Sequence, residues 1–152
     1  MKPAPFLRIA SVVTLIFATL HTIGGVFGKP LPGVAEQTVA VMKANQFQIF
    51  GHMRSYWDFY MGFGLSITIS LAAEAVLLWL LAGVAPILGA RLRPILLVFA
   101  LENVAVLLNA NRYFFFGPVI ASSLLVCLFI AAFVTAGGKL HSAVATSPLE
   151  YN

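Results

Sequence analysis

Four apolar stretches, at about residues 6–27, 58–82, 94–113 and 117–136, constrain this 152-residue chain more than any other feature. A helix crosses the hydrocarbon core of a bilayer with about 20 apolar residues, because it satisfies its backbone polar groups internally while rising about 1.5 Å per residue. Each stretch meets that length. Charged residues make up 9% of the chain and hydrophobic ones 61%, where a soluble domain carries about 25% charged residues. The expected fold is all-α, an integral membrane bundle of four transmembrane helices forming a single domain over residues 1–152.

The net charge of +4 rests on few residues, and no basic, aromatic-rich patch points to nucleic acid. One cysteine, Cys127, excludes an internal disulfide. Lys2 and Arg8 precede the first apolar run as in a signal peptide, but the run is longer than a signal core and no small-x-small cleavage site follows, so it reads as a retained helix. Lys2, Arg8, Arg91, Arg93 and Lys139 fall on one side of a four-span topology, and Lys29, Lys43, Arg54 and Arg112 on the other. The paired basic residues at the amino terminus and in the short 83–93 loop favour the first side as cytoplasmic, and both termini are expected there.

Between the first two spans, Lys29-Pro30-Leu31-Pro32-Gly33 breaks the helical pattern. Residues 34–45 resume it, with Val34, Val39, Val41 and Met42 set against Glu36, Gln37, Lys43 and Asn45. This predicts a short amphipathic helix at the outer surface that caps the bundle or gates access to it. The 83–93 segment, with Pro86 and Gly89, predicts a tight cytoplasmic turn, and Gly117-Pro118 a very short outer one.

Glu74 and Glu102 lie inside apolar runs, and a carboxylate in hydrocarbon is costly enough to mark a functional-site hypothesis. Helical spacing aligns Ser11, Thr14, Ala18, His21 and Gly25 on the first span, and Gly62, Ser66, Ser70 and Glu74 on the second. Ser123, Cys127, Ala131 and Thr135 align on the fourth; small residues at this spacing let helices approach closely in lipid. Glu102, Ala105, Asn109 and Arg112 form a polar face on the third span, expected to turn toward the bundle interior or a partner subunit. Counted from an outer boundary at Phe27, Asp58 and Arg112, His21 lies about 9 Å deep, Glu102 about 15 Å and Glu74 about 24 Å, which keeps the two glutamates apart. Asp58 is expected to pair with Arg112 at the outer edge, with Arg54 as the alternative partner at i, i+4.

The run His52-Met53-Arg54-Ser55-Tyr56-Trp57-Asp58-Phe59-Tyr60 concentrates aromatic and ionisable groups at the outer interface. Aromatic anchoring accounts for Trp57 and Tyr60; His52, Arg54 and Asp58 together suggest a headgroup site or a gate. His21-Thr22-Ile23-Gly24-Gly25 followed by Arg54-Ser55-Tyr56-Trp57-Asp58-Phe59-Tyr60-Met61-Gly62-Phe63-Gly64 resembles a family of small bacterial four-span membrane proteins described as uncharacterised. The resemblance covers nearly the whole chain and implies an architecture and a bacterial inner membrane, not an activity. In architecture alone the chain is also similar to DoxX-like proteins and, more distantly, to emopamil-binding-type sterol isomerases, whose bundles use embedded carboxylates. No isomerase motif matches residue by residue.

These features predict an intramembrane pocket for a lipophilic small molecule, such as an isoprenoid, a quinone or a sterol-like lipid, centred on Glu102. A protonated carboxyl there, with His21, would allow acid–base chemistry such as isomerisation. Glu74, Asn103, Asn109, Arg112, Arg54, Asp58, Trp57 and Tyr60 are the candidate ligand-binding residues. No cofactor is specified, and no His-x-x-x-His pair or carboxylate set suggests a metal. The alternative is an accessory subunit whose small and polar stripes pair with another membrane protein or a second copy of the chain.

Overall fold

The computed structural model describes residues 2–137. Helix α1 (Ala4–Leu20) widens into a π-helical end, His21–Val26. Helix α2 (Val34–Ala44) precedes a hairpin of strands β1 (Gln46–Ile49) and β2 (His52–Ser55). Helix α3 (Tyr56–Leu88), a 3-10 turn (Gly89–Leu92), helix α4 (Arg93–Tyr113) and helix α5 (Phe116–Thr135) complete the described chain. Three helical stretches are long and apolar enough to cross a membrane: Ala4–Val26, Tyr56–Tyr113 and Phe116–Thr135.

The connections differ from their sequence expectations in instructive ways. Helix α3 continues past residue 82 and through Pro86 to Leu88, so the turn is confined to Gly89–Leu92. Gly89 adopts φ +50°, the left-handed conformation that ends a helix at little cost only in glycine. The amphipathic helix lies at 34–44 as its pattern predicts. The hairpin was not anticipated. Its two-residue loop places Phe50 at φ 47° and Gly51 at φ 81°, the paired positive angles of a type I′ turn, and sets Gln46 opposite Ser55 and Ile49 opposite His52.

The chain divides into two compact units, one comprising residues up to Thr14 and from Glu74 onward, the other Leu15–Ala73. The core of the first joins Leu7 and Ala10 of α1, Leu78, Ala82 and Ala85 of α3, Leu96 of α4, and Leu125, Phe129 and Ala132 of α5. Small side chains at the contacts let helix backbones approach closely. The alanines permit it: Ser11 Oγ donates to the Ala75 carbonyl at 2.6 Å, a bond that needs the α1 and α3 backbones close together. Arg93, at the start of α4, donates from Nε to the Phe133 carbonyl at 3.3 Å, with its guanidinium 5.0 Å from the Phe133 ring centre.

Candidate functional site

The second unit assembles its polar groups around the start of α3. Ser55, at the end of β2, is buried and acts as the N-cap: its Oγ accepts the Asp58 backbone N–H at 3.2 Å. The Asp58 carboxylate reaches back to accept the Ser55 backbone N–H at 2.7 Å and the Ser55 hydroxyl at 2.9 Å. This reciprocal capping box ties the hairpin to the helix and satisfies donors that the first helical turn leaves open. Both bonds fall on Asp58 Oδ2, and Arg54 beside it donates to the Met53 carbonyl at 2.7 Å. Removing the cap hydroxyl in Ser55→Ala is expected to cost about 1 kcal/mol, read as faster amide exchange over the first turn of α3 with no change further along it.

Beside the cap lies an open groove of about 420 Å³. Ile49, Phe50, Phe59 and Phe63 give it apolar walls, Gly62 and Ser66 lie along α3, and His52, Arg54 and Asp58 supply its polar groups. Phe47 braces the wall, its ring 5.7 Å from that of Phe59 and stacked on it. Phe50 stands at the hairpin tip, 96% exposed. A large apolar side chain in a left-handed conformation and almost fully exposed is suited to an interface with lipid.

Trp57 and Tyr60 do not line this groove. Their stacked rings, 5.1 Å apart, lie toward α2, where Lys43 sits 4.9 Å from the Trp57 ring centre. A second groove of about 410 Å³ there includes Trp57, Met61, Lys29, Lys43 and Glu36. Tyr60 donates its hydroxyl to the Gly25 carbonyl at 2.7 Å. His21 Nε2 is 3.1 Å from the Gly64 carbonyl, so with the proton on Nε2 it donates a hydrogen bond that the widened π-helical turn makes possible. Both side chains thus fasten the end of the first helix to α3, and neither reaches the groove.

In the first unit, the polar face of α4 points outward: Glu102, Asn109 and Arg112 are all exposed. Asn103 is buried and donates from Nδ2 to the Phe99 carbonyl at 3.1 Å. Glu74 is half-buried, with Asn103 and the Glu102 carboxylate as the groups that act on it. This corrects the depth expectation that separated the two glutamates. Depth was counted from the outer boundary, but α3 is 33 residues long. Counted from the turn at Gly89, Glu74 stands 15 residues before it and Glu102 13 residues after, nearly equal distances on either side.

Arg54 and Asp58 are the expected ligand residues that fall on the groove. His52, Ile49, Phe50, Phe59, Gly62, Phe63 and Ser66 join them there. The alternation of Phe47 and Ile49 with Gln46 and Gln48 was the available signal for the strand that carries Ile49. No protein-family model matches this chain, and no curated protein or solved structure is significantly similar to it.

Proposed function

We propose that this is a four-span integral membrane protein that binds a lipophilic small molecule with a polar head, of the isoprenoid, quinone or sterol-like kind. Four spans are supported by length. The stretch Tyr56–Tyr113 has 58 residues, about 87 Å as one helix, nearly three times the hydrocarbon thickness. The left-handed Gly89 and the shared core of Leu78, Ala82 and Ala85 with Leu92 and Leu96 support two antiparallel crossings there.

The groove beside the hairpin carries the ligand reading. Its apolar walls suit a hydrocarbon body, and Arg54 with His52 suits an oxygen-bearing head; shape and polarity together match an amphiphile. This moves the ligand site from Glu102, which stands on an exposed face of α4, to the start of α3. The test is mass spectrometry of small molecules retained by the protein in native-lipid nanodiscs. One lipophile class enriched over bulk lipid in wild type, and retained about tenfold less by Arg54→Ala, is the expected result, since a charge-assisted hydrogen bond contributes about 1.5–3 kcal/mol. Identical profiles in the two proteins would refute the groove as its site.

The exposed Glu102, Asn109 and Arg112 favour a second reading, pairing of α4 with another membrane helix. A stoichiometric partner that is lost in Ala105→Leu, on the same face, would support it.

A further inference from the structure

Helix α2 has 11 residues, and none of them is buried. A lone helix needs about 12–15 residues to be even marginally stable in water, and shorter ones depend on packing an apolar face. The chain gives α2 no core to pack into, and Gly33, at φ +96°, provides no side-chain cap for its first turn. Leu31, Val34 and Val41 are exposed as well. The helix therefore draws its support from outside the chain. In a protein whose other helices are long and apolar enough to cross a membrane, the bilayer surface is the apolar medium at hand, and a short helix with apolar and charged residues on different faces suits it.

One face of α2 is built for a more specific contact. Glu36, Val39, Ala40 and Lys43 follow helical spacing and together line the second groove, whose other walls include Trp57 of α3 and Lys29 of the segment before α2. The Lys43 ammonium is held 4.9 Å from the Trp57 ring centre. That ring stacks on Tyr60, whose hydroxyl is fastened to the Gly25 carbonyl, so a chain of contacts fixes one cation at the groove. Resting on an aromatic face leaves the ammonium its N–H donors for a further partner. Two lysines against one glutamate give the groove a surplus of one positive charge.

We infer that this second groove binds the head of a monoanionic phospholipid of the phosphatidylglycerol kind, with Lys29 and Lys43 on the phosphodiester, Glu36 accepting from the hydroxyls of the head, and Val39, Ala40 and Trp57 against the upper acyl chain. Charge and polarity select that head. A phosphodiester carries one negative charge, equal and opposite to the surplus of the groove, and ammonium groups bind it by charge-assisted hydrogen bonds. A phosphatidylcholine head brings no hydroxyl for Glu36, and the Trp57 ring that would attract its quaternary ammonium already carries Lys43. The bound lipid also gives α2 the apolar partner that the chain itself lacks. The site needs the membrane setting and is independent of the ligand proposed for the first groove.

The experiment reads the fluorescence of Trp57 in a Trp79→Phe background, which leaves it the single tryptophan of the full chain. Phosphatidylcholine nanodiscs carry an equal mole fraction of either phosphatidylglycerol or phosphatidylcholine with brominated acyl chains, and bromine in contact with the indole quenches it. Phosphatidylglycerol is expected to be preferred by about five- to tenfold, the scale of two lysines acting on an anionic head at a membrane surface. Lys29→Gln combined with Lys43→Gln should bring the two lipids to parity, and Lys29→Arg combined with Lys43→Arg should keep the preference. Arg54→Ala should leave it unchanged, so failure of the first groove and failure of this site are read separately. Parity without any lysine substitution, or a preference that survives the double glutamine variant, overturns the site; abolition of the preference by excess glycerol phosphate overturns it too, in favour of a free phosphate ester. Amide exchange over Val34–Ala44 in the unsubstituted chain should be slower in discs containing phosphatidylglycerol than in phosphatidylcholine alone, and equal exchange in the two also overturns it.

Discussion

A leucine at position 62 is expected to empty the groove while leaving the protein folded. A Cβ built at Gly62 meets nothing within 4 Å, and the residue lines the groove between the Asp58 end and Ser66. The leucine side chain therefore enters ligand space instead of another helix. Glycine within a helix is about 0.5–1 kcal/mol less favourable than a good helix former, so Gly62→Leu should hold or raise Tm. Retained lipophile should fall by at least about thirtyfold, more than the tenfold expected for Arg54→Ala, because occupying the body of the site costs more than removing one contact to the head. Retention at the wild-type level, with the protein folded, would place the ligand elsewhere. Gly64 supplies the contrast: a Cβ there comes within 2.9 Å of Val26 Cγ2, so Gly64→Ala should disturb the packing of the first helix's end before it touches the ligand.

The difference between Gly62 and Gly64 shows what periodicity can and cannot convey. Spacing aligned Glu102, Asn109 and Arg112 on one face of α4, and they do share one. Spacing carries no information about which way a face points, and this one points outward. The long apolar helices and the 34–44 helix were readable because their length and period are properties of the sequence itself. The level of Glu74 was not, because it depends on where α3 stops. Pro86 suggested an early stop, and the chain instead runs on to a glycine at φ +50°.

Asp58 illustrates a signal present but overshadowed. Ser55-x-x-Asp58 is a capping-box pattern, yet long-range partners of opposite charge compete with it when only the sequence is considered. Asp58 makes the local bonds because the helix N-terminus must satisfy its open N–H groups whatever the rest of the fold does. The hairpin escaped for a related reason: Phe50 in a left-handed turn runs against residue preference, and only the Gly51 beside it hints at the turn.

Truncating Phe129 tests the packing that holds the first unit together. Phe129 is 0% exposed and its ring is stacked on Phe99 at 5.4 Å, within a cluster that includes Leu78, Leu92, Leu96 and Leu125. In a soluble protein Phe→Ala costs about 3–5 kcal/mol, the sum of lost transfer from water and the cavity left behind. In a bilayer the transfer part nearly vanishes, because the side chain exchanges one apolar medium for another. Phe129→Ala should therefore cost about 2–3 kcal/mol, the share due to the cavity and the lost contacts. Its neighbour Ile130, 52% exposed, provides the control: Ile130→Ala removes contacts to lipid instead of to protein and should cost under about 0.5 kcal/mol. Both are measurable by reversible unfolding in mixed micelles of SDS and a mild detergent. Equal losses at the two positions would mean that α5 does not bury the Phe129 face, and the close packing of alanines around it would lose its purpose.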